Sequence, residues 1–268
     1  MLCQAGCDQW RTTLMQHLSP LSQPQATVLA LGSFGMVLAR ACALTAVSSL
    51  LAEGMERSEQ TVRQRVRAWY DAPQRHRGPQ RQALRVETCC APWLGWGVSG
   101  WHGTPRALAL DATTLGQRFV VLAISVVSRG CAIPVAWVIL PTGAKHAGRR
   151  AWRRWRRRRR PALPPGWPVL GLADRGWSAP WLLRRLTCVG WHAFVRRHTG
   201  GSWRPTGATC GRPLTRFPPR PGTRWRGTGL ALTRHQVACT LLARGEEGSQ
   251  DPWLLLTDLA PEASAAGW

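Results

Sequence analysis

The sequence predicts a mixed α/β protein in which a small helical domain with its linker, residues 1–82, precedes a sheet-containing domain, residues 83–268. Residues 1 to about 70 show the apolar spacing of helices, whereas short β-branched apolar runs dominate after residue 105. Between these regions, residues 71–82 are rich in Pro, Gly, Gln and Arg, which is typical of an exposed connector. The length of 268 residues permits one or two domains.

The chain is strongly basic, with 36 Lys and Arg against 13 Asp and Glu side chains and a formal net charge of +23. Such a charge repels itself unless a polyanion balances it, so nucleic acid is the expected partner. Only one of the basic residues is a lysine, Lys145, and a GC-rich coding bias explains part of that preference for arginine. The same bias does not explain the scarcity of acids, and the charge imbalance therefore counts as evidence.

The apolar segment from Ala26 to Ala52 approaches the length of a membrane-spanning helix, but Arg40 interrupts it near its centre. A buried arginine is costly in a bilayer, so we expect a pair of buried helices and no membrane contact. The chain start lacks the order of a signal peptide, and the nine cysteines lack zinc spacing, which together predict a cytoplasmic protein with reduced thiols. Of these thiols, Cys131 and Cys188 best fit small core residues.

The last helix of the amino-terminal region is predicted to begin after Ser58, whose side chain can cap it. Val62 and Val66 then fall on one face, and Arg63 and Arg67 on others, which is the layout of an amphipathic helix. A helical DNA-binding module using Arg63 and Arg67 and a solvated helix of an ordinary helical domain explain this segment equally well.

The sheet domain is predicted to begin with a meander of three strands, residues 106–111, 119–127 and 131–140, with a tight turn at residues 128–130. Further elements follow the meander in order. We expect a helix within 148–160, a strand at 169–174, a helix at 179–188, a strand at 191–195, and two β-like stretches at 229–243 and 253–259.

The segment 148–160 reads GRRAWRRWRRRRR and is bounded by prolines that stop a helix. In one interpretation its arginines, among them Arg153 and Arg156, form a basic ridge that contacts phosphates. In the other interpretation, the segment is a crossover helix whose exposed face became rich in arginine through codon bias. The two interpretations are compatible.

Two aspartates end apolar strands in a chain that is poor in acids: Asp111 closes ALALD and Asp174 closes VLGLAD. Either residue alone is more often a turn or cap residue. Both occur, however, in a chain order of three strands, a helix and a strand, where neighbouring strand ends bring side chains to one crevice. Paired carboxylates at such a place can share Mg²⁺ or Mn²⁺ for phosphodiester chemistry.

The blocks LALDATTLGQRFVVLAISVVSRGCAIPVAW and VLGLADRGWSAPWLLRRL resemble those of bacterial IS4-type DDE transposases, whose core is RNase H-like. The resemblance is good over residues 84–268 and loose before them. It implies a five-stranded core with a β-rich insertion, two metal-ligating catalytic residues in Asp111 and Asp174, and a conserved setting for Arg175 as a DNA contact. It further implies double-stranded DNA at transposon ends as the partner, allows a homodimer on that DNA, and suggests a nucleoid-associated bacterial protein.

In the family, the third acid is a Glu on a helix after the insertion, within a signature of Tyr, Arg, Glu and Lys. None of the acids that follow Asp174 in this sequence stands in such a signature. Glu262 is interpreted as a residue at a helix start. We therefore expect a transposase form that ends before its third ligand, with impaired strand cleavage and strand transfer. The alternatives are a catalytically inactive DNA-binding fragment that competes at transposon ends and a decayed product that does not fold stably. Trp203 and Trp225 are candidates for stacking on an extruded base, although core packing is the commoner role of tryptophan.

Overall fold

A computed structural model of the chain describes residues 2–69, 84–99, 106–143, 148–149, 168–177, 179–217, 220–232, 236–248 and 251–265. The chain divides into two compact units, Met1–Ser99 and Gly100–Trp268. Within its described residues the first unit is helical, and the second contains all the strands. The mixed α/β class predicted from the sequence is confirmed.

The described residues of the first unit form five helices, whose bounds are α1 Leu2–His17, α2 Gln23–Ala39, α3 Leu44–Met55, α4 Glu59–Arg67 and α5 Val86–Ser99. The apolar segment around Arg40 forms two helices because Arg40 adopts a left-handed backbone (φ 48°) that ends α2. Helix α2 begins with a capping box formed by Ser22 and Gln25. The backbone N–H of Ser22 donates a 2.9 Å hydrogen bond to the side-chain oxygen Oε1 of Gln25.

The core of the first unit forms where the helices approach closely through small residues. Gly35 of α2 lies so near Val47 and Leu51 of α3 that an added Cβ would sit 2.7 Å from Val47 Cγ1. No single helix in the described part of the chain is long and apolar enough to cross a bilayer. Only α2 and α3 together reach that length, and they are bent by 96° at the break between them.

Helix α4 begins as the sequence predicts, because the Ser58 side chain accepts a hydrogen bond from the backbone N–H of Thr61 at 3.3 Å. Val62 and Val66 are buried, and Arg63 and Arg67 are exposed. The amphipathic layout expected for this segment is therefore present.

We expect Ser58→Ala to destabilise the first unit by about 1 kcal/mol, because the Thr61 amide would lose its capping acceptor. Ser58→Asp retains an acceptor and is expected to keep most of the stability. Chemical denaturation of the three proteins, followed by far-ultraviolet circular dichroism, measures the difference. Equal midpoints for wild type and Ser58→Ala would show that the cap does not contribute.

The second unit is built on one ten-stranded mixed sheet with the order β3-β2-β1-β4-β5-β10-β9-β8-β6-β7 among the described residues. The strands are β1 Arg106–Leu115, β2 Phe119–Ser128, β3 Cys131–Pro141, β4 Val169–Ala173, β5 Trp191–Arg196, β6 Ser202–Pro205, β7 Arg212–Pro213, β8 Arg224–Ala231, β9 Val237–Arg244 and β10 Trp253–Thr257.

Strands β1, β2 and β3 form the predicted antiparallel meander. Strand β4 then pairs in parallel with β1, and β5 pairs in parallel with β4. Because β1, β4 and β5 run parallel to one another, their carboxyl ends point to the same edge of the sheet. Asp174 directly follows the last residue of β4, whereas Asp111 lies inside β1, four residues before its end, so the prediction that Asp111 closes its strand was wrong.

One face of the central strands is covered by the helix α6, Pro180–Thr187. Its residues Leu182, Leu183 and Leu186 are buried. On β4, Gly171 gives Leu186 room to approach, since an added Cβ there would sit 2.8 Å from Leu186 Cδ2. A last helix, α7, spans Pro261–Ala265 and has Glu262 in its first turn, as expected from the sequence.

The region 199–244 departs most from the sequence prediction. The stretch 229–243 is not one strand but parts of two, β8 and β9, which pair antiparallel from Arg224–Arg244 to Ala231–Val237. Leu232 and Gln236 at the reversal have positive φ values of 64° and 41° without the Gly or Asn that commonly marks such a turn. Cys131 and Cys188 are exposed, so their assignment to the core was wrong, and the buried thiols are instead Cys7, Cys90 and Cys239.

Candidate active site

Asp111 and Asp174 lie at neighbouring positions on two adjacent parallel strands. Leu110 of β1 is paired with Ala173 of β4, and each aspartate is the next residue of its chain. Along β1 and β4 the side chains alternate between the two faces of the sheet. The two carboxylates therefore project from the same face, at the same height, from strands whose axes are about 5 Å apart.

The face that carries the aspartates is the less buried of the two. On β4, Val169, Gly171 and Ala173 are buried, whereas Leu170 and Leu172, which share the face of Asp174, are only half-buried. Asp111 and Asp174 belong to a row of residues that crosses the strands at one height. On β2 this row contains Ala123, the partner of Asp111, and on β3 it contains Trp137, the partner of Ala123. The Trp137 side chain is 42% exposed, so this row offers both carboxylates to solvent.

Among the residues that the structure describes, Asp111 and Asp174 each have one close side-chain partner. Thr113 Oγ1 donates a 2.7 Å hydrogen bond to Asp111 Oδ2, which fixes the orientation of that carboxylate. Asp174 Oδ1 lies 3.8 Å from Arg196 Nη1, and the Asp174 side chain remains 63% exposed. At that separation and exposure the ion pair is weak, so the Asp174 oxygens stay accessible to a ligand.

Arg196 extends the row of aspartates to a third strand. It follows Val195, the β5 partner of Ala173, and therefore takes the position beside Asp174. Its guanidinium carbon lies 3.9 Å from the centroid of the Trp253 ring, in the geometry of a cation–π contact. Trp253 is held in turn, since its Nε1 donates a 2.8 Å hydrogen bond to Glu246 Oε2. The row thus presents two anionic groups and one positioned cation.

Arg175, the residue after Asp174, is only partly available as a DNA contact. Its Nη1 donates a 2.9 Å charge-assisted hydrogen bond to Asp251 Oδ2, and its side chain is 21% exposed. Arg63 and Arg67 are exposed on α4 of the other unit. The remaining predicted DNA contacts, Arg153 and Arg156, lie outside the described residues.

The chemistry of the donors suits a hard divalent cation, because two carboxylates provide oxygen ligands at adjacent positions. Within the described ranges, no group of three or more His, Cys, Asp or Glu side chains is placed to hold a metal ion. The row could supply two of the oxygen ligands that Mg²⁺ or Mn²⁺ takes, and water or substrate would have to provide the others. Binding through so few protein ligands is expected to be weak.

A shallow cavity of about 630 Å³ lies in the same unit but does not include either aspartate. It is lined by parts of β6, β8 and β9 together with Asp258 and Leu259 after β10. Cys239 contributes a thiol to this lining, and burial raises the pKa of that thiol to about 11. The thiol is thus protonated at neutral pH and is not an activated nucleophile.

Trp203 does not fit the expectation of base stacking. It is 1% exposed and packs edge-on against both Trp225 and Phe217, with ring centroids 5.4 Å and 5.1 Å away. This aromatic cluster is the core of the β6–β8 region, and a base could not reach the Trp203 ring without unfolding it. Core packing, given above as the commoner role of tryptophan, is therefore the role of Trp203, and base stacking is excluded for it.

Sequence reasoning missed Thr113, Arg196 and Trp253. Arg196 carried a usable signal, since it closes the apolar strand WHAFVR just as Asp174 closes VLGLAD. Thr113 lies two residues after Asp111 and hence on its face of the strand. Trp253 had no local signal, because its place beside Arg196 depends on the pairing of β10 with β5.

The comparisons with known proteins add no assignment: no protein-family model matches the chain, and no curated protein matches it.

Proposed function

We propose that the chain is a metal-dependent, DNA-cleaving protein of the IS4-type DDE transposase kind, with an RNase H-like core formed by β1–β5 and α6. The sheet order β3-β2-β1-β4-β5, with β1 antiparallel to β2 and parallel to β4, supports that core. Strands β6–β9 lie between β5 and β10 in the chain and extend the sheet, which is compatible with a β-rich insertion.

The observation that carries the proposal is the shared row of Asp111 and Asp174 on one exposed sheet face. A divalent metal ion bound there would polarise a phosphodiester and lower the pKa of an attacking water. Thr113 holds the Asp111 carboxylate in one orientation. Arg196 places a fixed positive charge beside Asp174, where it can bind a non-bridging phosphate oxygen.

Metal binding by the full chain tests the proposal most directly. We expect Mn²⁺ to bind with a dissociation constant on the order of 10⁻⁴ to 10⁻³ M, by analogy with the weakest Ca²⁺ sites, whose affinity is set by the number of charged oxygen ligands and by site rigidity. Asp111→Asn and Asp174→Asn each remove one anionic oxygen with little change in shape, and each is expected to weaken Mn²⁺ binding by about 10-fold or more. Paramagnetic relaxation of water protons measures the bound fraction.

The matched control is Glu247→Gln, which removes an exposed carboxylate of the same unit outside the row. It is expected to bind Mn²⁺ as the wild type does. If both Asp variants also bind Mn²⁺ like the wild type, the aspartates are not its ligands and the proposed centre is wrong. A Mg²⁺-dependent nicking assay on supercoiled plasmid, with the same variants, then tests whether the bound metal supports cleavage.

A second function is favoured by the absence of a third metal ligand among the described residues. In this alternative the chain binds DNA without cutting it. It predicts that plasmid nicking is absent even at high Mg²⁺, while DNA binding survives Asp111→Ala. Nicking that Asp111→Ala abolishes would exclude this alternative.

A further inference from the structure

We infer that a second copy of this chain binds along the outer edge of strand β3, so that the two β3 strands pair antiparallel across a twofold axis. This contact joins the two proteins directly, without DNA, and it does not depend on the proposed metal-dependent function. Three observations carry it: the difference between the two edges of the sheet, the register of β3, and the exposed side chains of that strand.

The two edges of the described sheet differ in how well they resist pairing with another strand. At one edge, β7 consists of only Arg212 and Pro213, and a short edge strand with a charge and a proline is protected from further pairing. At the other edge, β3 has 11 residues, Cys131–Pro141, and none of them is charged. In a chain with a net charge of +23, two copies can meet along such a strand without bringing its own side chains into charge repulsion.

Residues 136–140 form the regular part of the β3 edge. The β2–β3 register shifts between Ile124 and Ser125, just before Ala136 is reached on β3. At the other end Pro141, which has no N–H group, closes the strand. Between these points each β3 residue is paired with one β2 residue. The backbone groups on the outer side of this segment therefore recur at the regular spacing that a second antiparallel strand can match.

The side chains of this segment are self-complementary in one antiparallel register. When Val138 lies opposite Val138 of the partner subunit, Trp137 lies opposite the partner's Ile139, and Ile139 lies opposite the partner's Trp137. Both pairs are on the face of the sheet that carries the aspartates. Cross-strand pairs of an aromatic and a β-branched side chain stabilise antiparallel sheets, and the twofold axis provides this pair twice.

The exposure of these side chains agrees with that register. Trp137 and Ile139 are 42% and 52% exposed, and they are the two exposed residues of the segment, whereas Ala136 is fully buried and Val138 and Leu140 are half-buried. The register thus brings together the two large apolar side chains that the isolated copy leaves in water. Burial of each against the other is favourable because it removes apolar surface from solvent.

Pairing at β3 ends with two copies. The contact uses the same patch on both copies, so it leaves no second β3 edge to continue the assembly. The described edge that remains on each copy is the protected strand β7. Because the twofold axis is perpendicular to the sheet, the rows that contain Asp111 and Asp174 lie on the same face in both copies. Five strand spacings separate the two β1 strands, which places them roughly 24 Å apart along the joined sheet.

Sedimentation of the full chain tests the inference. Nuclease treatment and a high-salt wash first remove nucleic acid, which would otherwise bridge two basic copies, and the measurement follows in about 0.15 M salt. We expect wild type to exchange between monomer and dimer with a dissociation constant on the order of 10⁻⁵ M, because one short strand pair buries less surface than a standard interface. A wild type that stays monomeric at about ten times that concentration overturns the inference.

Two double variants at the same positions test the register. Trp137→Lys/Ile139→Lys places lysine opposite lysine in both cross-strand pairs, and we expect it to weaken the dimer by about 100-fold or more. Trp137→Lys/Ile139→Glu places lysine opposite glutamate in both pairs, and we expect it to dimerise at least about 10-fold more tightly than the first variant. Equal dimerisation of the two double variants overturns the inference.

The control is Val37→Lys, which adds the same charge to an apolar side chain of α2 that is 73% exposed. It is expected to dimerise as the wild type does, and a loss as large as that of Trp137→Lys/Ile139→Lys would overturn the assignment to β3. Circular dichroism verifies that each variant folds, as expected for side chains that are already exposed. Every variant retains Asp111 and Asp174, so Mn²⁺ binding and dimerisation can fail separately.

Discussion

Gly229→Ala is expected to destabilise the sheet unit by about 3 kcal/mol, because the added methyl group would clash with neighbouring atoms on two sides. Gly229 of β8 is paired with Pro205 of β6, and its Cβ would collide with the backbone carbonyl oxygen of Arg204. On the other side it would lie 2.6 Å from Trp203 Cζ2. A flexible side chain could move aside, whereas a backbone carbonyl in a paired strand and a ring that is 1% exposed cannot.

The matched control for this substitution is Gly200→Ala, in an exposed loop of the same unit. An added Cβ at Gly200 meets no atom within 4 Å, and its φ is not positive. We expect its stability to change by at most about 0.5 kcal/mol. In a unit of this size 3 kcal/mol corresponds to a fall in Tm of roughly 6–12 °C. Thermal unfolding followed by near-ultraviolet circular dichroism measures it, and equal Tm values for the two variants would contradict the collision.

The close approach at Gly229 also shows why the sequence predicted the outer sheet less well than the central strands. The runs ending at Asp111, Val127, Leu140 and Asp174 are apolar and continuous, and three of them form the interior strands β1, β2 and β4 of the sheet. By contrast β6 and β8 contain Arg, Pro, Thr and Gly, and their glycines serve close packing against Trp203. That role depends on a partner strand distant in sequence, so no local pattern reveals it.

Helix α5 was missed for a different reason. Pro92 lies inside it, and Gly95 and Gly97 lower its helix propensity further. Its buried residues Cys90, Leu94 and Val98 recur every four positions, a spacing that places them on one face of the helix. Its side chains Cys89, Trp93 and Trp96 pack against the core of the first unit, and this packing outweighs the unfavourable local propensity.

The candidate site was predictable to the extent that it depends on single strands. Asp111 and Asp174 were identified because each follows an uninterrupted apolar run in a chain that is poor in acids. Their adjacency follows from the pairing of Leu110 with Ala173, and the position of Arg196 follows from the pairing of Ala173 with Val195. Register is a relation between strands, so the position of Arg196 at the end of its own strand marks it as a candidate but does not place it beside Asp174.

The position of Asp174 depends on the packing of α6 against β4, and Leu186→Ala is expected to weaken that packing by about 2–5 kcal/mol. Leu186 is fully buried and fills the space left by Gly171, three residues before Asp174. Gly171→Ala should destabilise by about 1–3 kcal/mol for the opposite reason, since its methyl group would lie 2.8 Å from Leu186 Cδ2.

The two substitutions remove and add volume at one contact, so their effects should not add. The double variant Gly171→Ala/Leu186→Ala places the new methyl group in the space that the leucine vacates, and we expect it to be more stable than the sum of the single effects predicts by about 1 kcal/mol or more. Urea denaturation of the four proteins gives the coupling energy. Simple additivity would mean that β4 and α6 do not meet at this pair, and that the row containing Asp174 is held by other contacts.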